Sequence, residues 1–432
     1  MKRTDETSRH IALFVGLVLL VSAARAGDTL FASMASLFEI GLTHNEGLLA
    51  RGRALSADSA ELKSQYGNYF PELSAQASYS YLDIVPATKI PFIGNQPHDV
   101  LGTFNLRQDV YDGGRRSAQV RLRRSATERS GFLLDQARLD LKLEVALNYH
   151  RLQALDAELA VLDENRDGTR EQLELTRLLV RTGRVSSVEA GRHEAALAEI
   201  EARITGARVE RRTAELQLCH LAGLAPGTAI QPADSIGWSG LDIDLVSALA
   251  LADSNQPLFA AWDAQLDQAL AGIGLARAAQ LPSLALQAWY GWELWDAGFS
   301  FDDNRRYGVG LVASVPLFDG LRTDRSVLAA ELRQRSVELD AGYFREGLYV
   351  RITSALGSIS AGEMQVEFLR RAAELARRNL DLALVEYQAG RRSSTDVLQL
   401  RAGLLESQLR LSRQLVRQAD LAATARHLIG IL

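Results

Sequence analysis

The sequence predicts a mainly α-helical fold with a transmembrane β-barrel portion, internally duplicated, with four strands and long α-helical hairpins in each subunit. Three observations predict it. Widely separated landmarks recur at one fixed offset. Long proline-free tracts carry apolar residues at three- and four-residue steps. Segments of about ten residues ahead of those tracts alternate apolar and polar side chains, the pattern of a strand with one lipid-facing side.

The duplication comes first, because a missed repeat misassigns the whole fold. Val110-Tyr111-Asp112-Gly113-Gly114-Arg115 recurs as Leu317-Phe318-Asp319-Gly320-Leu321-Arg322. Arg181-Thr182-Gly183-Arg184-Val185-Ser186-Ser187 recurs as Gln388-Ala389-Gly390-Arg391-Arg392-Ser393-Ser394, and Leu221-Ala222-Gly223-Leu224 as Leu428-Ile429-Gly430-Ile431. Asp112 to Asp319, Gly183 to Gly390 and Gly223 to Gly430 are each 207 residues apart. Upstream, Asn45-Glu46-Gly47-Leu48 matches Asn255-Gln256-Pro257-Leu258, and Tyr69-Phe70-Pro71-Glu72-Leu73 matches Gln280-Leu281-Pro282-Ser283-Leu284, at offsets of 210 and 211. The chain divides accordingly into a leader over 1–26, a first repeat over 27–224, a Pro/Gly-rich connection over 225–245 and a second repeat over 246–432.

The helices follow from proline usage. No proline lies between Pro97 and Pro226, and none after Pro316. A proline inside a helix costs about 3 kcal/mol, so such tracts permit unusually long helices. Arg115 to Arg181 is rich in Leu, Ala, Arg and Glu, and Leu152, Leu155, Leu159 and Leu162 form one apolar stripe. Its counterpart runs from Arg322 to Gln388. As single helices these would be roughly 100 Å long, with Gly168 and Gly357 as possible kinks. Gly183 and Gly390 are expected to take positive φ where each helix reverses. Ser186 or Ser394 is expected to cap the next helix. The second helices run from about Val188 to Leu221 and from about Thr395 to Leu428.

The strands precede the long helices. Leu73 to Tyr81 alternates Leu, Ala, Ala, Tyr, Tyr with Ser74, Gln76, Ser78 and Ser80. In Leu101 to Tyr111, Phe104, Leu106 and Val110 share one side, and Thr103, Asn105, Arg107 and Asp109 the other. The second repeat offers Leu284 to Leu294 and Tyr307 to Leu317, with Trp289, Trp292, Trp295, Phe299, Phe301 and Tyr307 around the intervening loop. Aromatics at barrel ends sit well at lipid headgroup level. Four strands cannot close a barrel, since the smallest transmembrane ones have eight, so a chain spanning a membrane this way must oligomerise.

The first residues are read as an export signal. Met1-Lys2-Arg3 and Arg9 are basic, Ile11 to Val21 is a short apolar core, and Ala24-Arg25-Ala26 is a small-x-small cleavage site. Removing 1–26 takes four positive and two negative charges from a chain of net charge −5, leaving about −7. A basic face for nucleic acid is therefore not expected. Cys219 is the only cysteine, so no internal disulfide can form. No enzyme site is expected either. Gly272-Ile273-Gly274 lacks a third glycine, no phosphate-binding Gly-x4-Gly-Lys loop occurs, and Cys219-His220 has no partners at zinc spacing. No cofactor is implied.

Taken together, the paired Asp-Gly-(Gly/Leu)-Arg junctions at Asp112, Gly113, Asp319 and Gly320, the turns at Gly183 and Gly390, and the paired Leu-x-Gly ends resemble the TolC-like outer-membrane efflux proteins, also termed outer membrane factors. The resemblance covers about Leu37 to Leu432. It implies a homotrimer in the outer membrane of a Gram-negative bacterium, with one shared twelve-stranded barrel and a periplasmic helical tunnel. It also implies a periplasmic adaptor protein and an inner-membrane pump or ATP-driven exporter as partners, with passive export through the duct. At the tunnel tip it implies a gate. The family's Tyr, Arg and acidic positions fall on Tyr387, Arg392 and Asp396, with Glu189 as the first-repeat acid. Gln399 stands where a second acid is usual, and Arg184 and Arg391 stand where the family often has an apolar residue. Carboxylates at the first turn of a helix are also favoured by its dipole, so Asp396 and Glu189 could serve the helix alone. If they face the axis, rings of them favour cations. A soluble periplasmic coiled-coil scaffold or adaptor is the alternative; it would keep the helices but lack the alternating hairpins.

Overall fold

Arg115–Arg181 and Arg322–Gln388 each form a single helix. The computed structural model describes residues 29–81, 98–234, 241–295 and 305–432. The leader over 1–26, Phe299, Phe301 and the side chain of Trp295 lie outside the described residues. In order, the elements are β1 (Thr29–Ala32), α1 (Met34–His44), α2 (Glu46–Gly67), β2 (Glu72–Tyr81), β3 (His98–Tyr111), α3 (Arg115–Arg181) and α4 (Ser187–Ala222). Then come β4 (Ala229–Pro232), α5 (Leu245–Asn255), α6 (Pro257–Ala278), β5 (Ser283–Trp295), β6 (Arg305–Ser314), α7 (Arg322–Gln388) and α8 (Ser394–Ile429). The helices α3 and α7 are 67 residues each, α4 and α8 36, α1 and α5 11, and α2 and α6 22. The repeat is thus carried by helix length as well as by motif.

Gly168 and Gly357 interrupt neither α3 nor α7, which stay helical through both positions. One expectation is corrected here. The last strand ends at Ser314, so Val315, Pro316 and Leu317 lie beyond it; proline has no N–H to give a ladder.

The chain divides into two compact units. One comprises Gly52–Leu134 and Leu258–Arg345. Within it β2, β3, β5 and β6 make one antiparallel four-stranded sheet, in that order. The register puts directly paired residues on one face. Leu73, Leu106, Ala288 and Val309 form one row, and Ala75, Phe104, Tyr290 and Tyr307 the next. Between these rows, on the opposite face, lie Ser74, Asn105, Trp289 and Gly308. The apolar face is uncovered among the described residues, with Leu73, Phe104, Tyr307, Val309 and Leu311 all exposed. Phe104 and Trp292 meet edge to face at 6.1 Å, a favoured aromatic geometry. Among the described residues, β2 and β6 have no strand on their outer sides.

The other unit comprises Met1–Arg51, Asp135–Pro257 and Glu346–Leu432. Its helical core joins Leu162 of α3, Ile200 and Ile204 of α4, and Leu405 and Leu409 of α8. The strands β1 and β4 pair in parallel, from Thr29 with Ala229 to Ala32 with Pro232. The buried Tyr149 hydroxyl donates to the Ala32 carbonyl at 3.1 Å and fixes that strand to α3. The upstream landmarks also acquire a role. Asn45 Nδ2 donates to the Leu221 carbonyl at 3.0 Å, and Gln256 Nε2 donates to the Leu428 carbonyl at 3.1 Å. Each repeat therefore ties the junction of its two short helices to the end of its last helix, satisfying a terminal carbonyl that helix geometry leaves open.

Candidate functional site

The turns after α3 and α7 are built alike. Gly183 and Gly390 both take φ of 71°, a conformation costly for any residue with a Cβ. Arg184 N–H donates to the Leu179 carbonyl and Arg391 N–H to the Glu386 carbonyl, each at 2.9 Å, while Gly183 and Gly390 N–H reach Val180 and Tyr387. These are the paired bonds of a left-handed helix stop. Ser186 and Ser393 then cap α4 and α8, accepting from Val188 N–H and Asp396 N–H. The second cap is therefore Ser393, not Ser394. Ser394 is buried and engaged elsewhere, because the cap must sit one residue before the helix, where its backbone is extended.

Three contacts bring the two turns side by side. His193 Nε2 lies 2.7 Å from Ser394 Oγ, both buried. Arg192 donates to Thr395 Oγ1 at 2.5 Å. The Tyr387 hydroxyl lies 3.4 Å from Thr176 Oγ1. Around Tyr387, Leu380, Ala383, Val397 and Leu404 close an apolar cluster against Leu175 and Leu179 of α3. Higher up, Gly168 serves close approach: a Cβ there would stand 2.0 Å from a guanidinium nitrogen of Arg401. Burial pushes the Arg401 pKa down, opposed by Glu171 and Glu164.

The expected gate residues meet different fates. Tyr387 is buried and bridges α7 to α3. Arg392 pairs with Glu386 of its own turn at 2.8 Å. Asp396 is exposed in the first turn of α8. Glu189 is half-buried; one carboxylate oxygen lies 3.5 Å from Arg192 and the other is enclosed without a partner. No ion pair joins Arg392 to Asp396 among the described residues. His193, Thr176 and Arg401 escaped the sequence reading, and Ser394 entered it only as a helix cap. For His193 a signal existed, since His193, Ile200, Ile204 and Ala207 step by seven, four and three along one helix face and all are buried. Burial lowers the His193 pKa, Glu189 opposes that, and Arg401 adds to it.

The strand-to-helix junctions are the other paired feature. Asp112 accepts from Gly114 N–H at 3.1 Å and from the Arg116 N–H and Nε at 2.9 Å each. Burial raises the Asp112 pKa, but these donors outweigh it and the net shift is downward. Asp319 accepts from Thr323 through both backbone and hydroxyl, and the Thr323 hydroxyl chiefly lowers its pKa. Gly113 and Gly114 have φ of 65° and 83°; their counterparts Gly320 and Leu321 have 70° and 66°. Among the described residues no group of three or more His, Cys, Asp or Glu side chains could hold a metal ion. No described helix is long and apolar enough to cross a membrane.

Known proteins share this fold. The sequence model of the outer membrane efflux protein family matches residues 40–224 and again 248–430. The nickel-cobalt-cadmium resistance protein NccC of Alcaligenes xylosoxydans xylosoxydans is 24% identical over 321 residues, covering 71% of this chain and 66% of that protein. The pyoverdine export outer membrane protein OpmQ of Pseudomonas aeruginosa is 29% identical over 317 residues, covering 70% and 64%. The matches thus span just under two thirds of those relatives. Among solved structures, the outer membrane protein VceC of Vibrio cholerae superposes with a TM-score of 0.81 at 21% identity, over 92% of this chain and 96% of that one. The Campylobacter jejuni CmeC outer membrane channel gives 0.83 at 18% identity, over 92% and 85%.

Proposed function

The chain belongs to the outer membrane efflux protein family and has its place in the outer membrane of a Gram-negative bacterium, and from that premise we propose that it is the exit duct of a tripartite efflux or type I secretion system. In this reading three copies share one twelve-stranded barrel, and their helices line a periplasmic tunnel. The observation that carries it is the four-stranded sheet with one uncovered apolar face and two outer strands without neighbours among the described residues. Lipid cannot satisfy a backbone edge, so a sheet of this kind is expected to close with other copies. A soluble coiled-coil scaffold would have no use for such a face.

The helices support the same reading. Val350, Met364, Phe368, Leu375 and Leu382 are exposed on α7 at steps of 14, 4, 7 and 7. That spacing makes one stripe of the kind that faces a partner helix. A periplasmic adaptor and an inner-membrane pump or exporter complete the assembly, and the duct itself is passive. Relatives named for nickel, cobalt and cadmium resistance and for pyoverdine export favour small cargo, metal ions or their chelates. Tyr387, Arg392, Asp396 and Glu189 form the tip gate, with Asp396 free to line the opening and Glu189 supporting from within. Purified protein in planar bilayers tests the proposal: it should have trimeric mass and conduct ions. Monomeric mass in mild detergent, or recovery from the soluble periplasm, would refute it.

A further inference from the structure

We propose that Trp289 is a stacking platform for flat aromatic cations inside the barrel, and that it holds such cargo back as it passes. The inference rests on the duct reading, which sets one face of the sheet toward lipid and the other toward the lumen. In the sequence Trp289 stands with the aromatics grouped around the loop after β5. The strand register separates it from them. Trp289 pairs with Asn105 and Gly308, and Asn105 pairs with Ser74, so the indole stands on the polar face. Phe104, Tyr290 and Tyr307 form the next row, on the apolar face. Trp289 is also the middle of the 13 residues of β5, about 20 Å along the strand from its helix end. An aromatic girdle needs the lipid face and a strand end. Trp289 has neither.

Its surroundings leave the ring open. The indole lies across Gly308, where a Cβ would stand 2.7 Å from Nε1 and 2.9 Å from Cε2. Gly291, two residues along β5, and Gly310, two along β6, share that face, and nothing stands within 4 Å of a Cβ built on Gly310. Three glycines therefore give the ring no side-chain wall toward β6. On β3, Asn105 donates to Thr103 at 3.2 Å and Arg107 pairs with Asp109 at 3.3 Å, so these polar neighbours engage each other and not the indole. Trp289 makes no hydrogen bond and no ring contact among the described residues. Covering Gly308 uses one side of the ring, and the residue stays 42% exposed. The free face of an indole carries negative π density and is the best aromatic partner for a cation, and a flat solute adds stacking. Side chains just fill an eight-stranded barrel, so in a twelve-stranded one three such rings line the passage without plugging it.

The test titrates the full-length protein in detergent with N-methylquinolinium, a flat cation, by calorimetry, and records block of single-channel current by the same probe in planar bilayers. Wild type should bind it about tenfold tighter than dimethylpiperidinium, a saturated cation, or naphthalenesulfonate, a flat anion, and each block should last correspondingly longer. Trp289→Ala should abolish that preference, and Trp289→Phe should keep part of it. Gly308→Ala retains the indole but displaces it, and should weaken binding too. Trp292→Ala, on the lipid face, should leave the preference unchanged. Equal binding of the three probes by the wild type, or an undiminished preference in Trp289→Ala, would overturn the proposal. Conductance without any probe reports the duct reading separately. A conducting pore that does not discriminate sinks the platform alone, and discrimination by calorimetry without conduction sinks the duct alone.

Discussion

The hydroxyl of Tyr387 lies 3.4 Å from that of Thr176, both buried, and links the end of α7 to α3. Arg392, by contrast, is paired within its own turn. The two residues expected to act together at the gate therefore restrain different things. Tyr387→Phe should loosen the contact between the hairpins, at a cost of about 1 kcal/mol for one long hydrogen bond, and raise channel conductance. Arg392→Ser breaks a half-exposed pair worth about 0.2–1 kcal/mol and should change conductance less. A larger effect from Arg392→Ser than from Tyr387→Phe would contradict this division.

His193 predicts a pH response of the same region. Its folded pKa is lowered, chiefly by burial, so the unfolded chain takes up a proton more readily. The neutral imidazole thus contributes stability that is present above its ordinary value of about 6.5 and lost as pH falls through the lower folded value. Corrected for the intrinsic slowing of amide exchange in acid, the protection of the first turns of α4 and α8 should fall on mild acidification. His193→Gln should flatten that dependence, and an unchanged profile would exclude His193 as its source.

Asp140 of α3 gives a second titration. Burial raises its pKa, but His427 at 2.7 Å, then Gln136, outweigh it and the net shift is downward. Its contribution is present above the ordinary carboxylate value of about 3.9 and lost only as pH falls below it. The mirrored pair His150–Asp420, at 2.8 Å, joins the same two helices. In a double-mutant cycle, Asp140→Asn and His427→Gln should show coupling of about 1 kcal/mol near neutral pH. Asp140→Asn and Asp420→Asn, which share no partner, should add.

The junctions differ in what they tolerate. Leu321 holds φ of 66° with a side chain in the way, so Leu321→Gly should stabilise the protein by about 1 kcal/mol. Gly113→Ala should do the opposite, by about 1–3 kcal/mol, because φ is 65° and the new Cβ would stand 2.6 Å from that of Leu281. Thermal unfolding of the purified protein followed by helical circular dichroism reads both.

Much of this fold was legible because it is local or periodic. The ends of α3 and α7 fall where glycine turns and proline exclusion put them, and α4 and α8 begin and end within a residue of expectation. The alternation in β2 and β3 gave the apolar face, and the register extends it across all four strands. The pairing of β1 with β4 was not legible: two four-residue strands some 200 positions apart leave no periodic trace. The contacts at the turns failed for a related reason. His193–Ser394 and Thr176–Tyr387 are 201 and 211 residues apart and depend on how hairpins pack, which no single helix encodes. The close approach of Arg401 to Gly168 was not legible either, because a glycine that admits a guanidinium and one that bends a helix look alike in sequence.

The outer strands β2 and β6 carry a consequence for biogenesis. A solitary chain in the bilayer would expose two rows of unsatisfied amides and carbonyls to hydrocarbon, each group costing several kcal/mol. Under the proposed duct reading, insertion would therefore not run ahead of association: copies would meet in water or at the membrane surface before any of them enters the lipid.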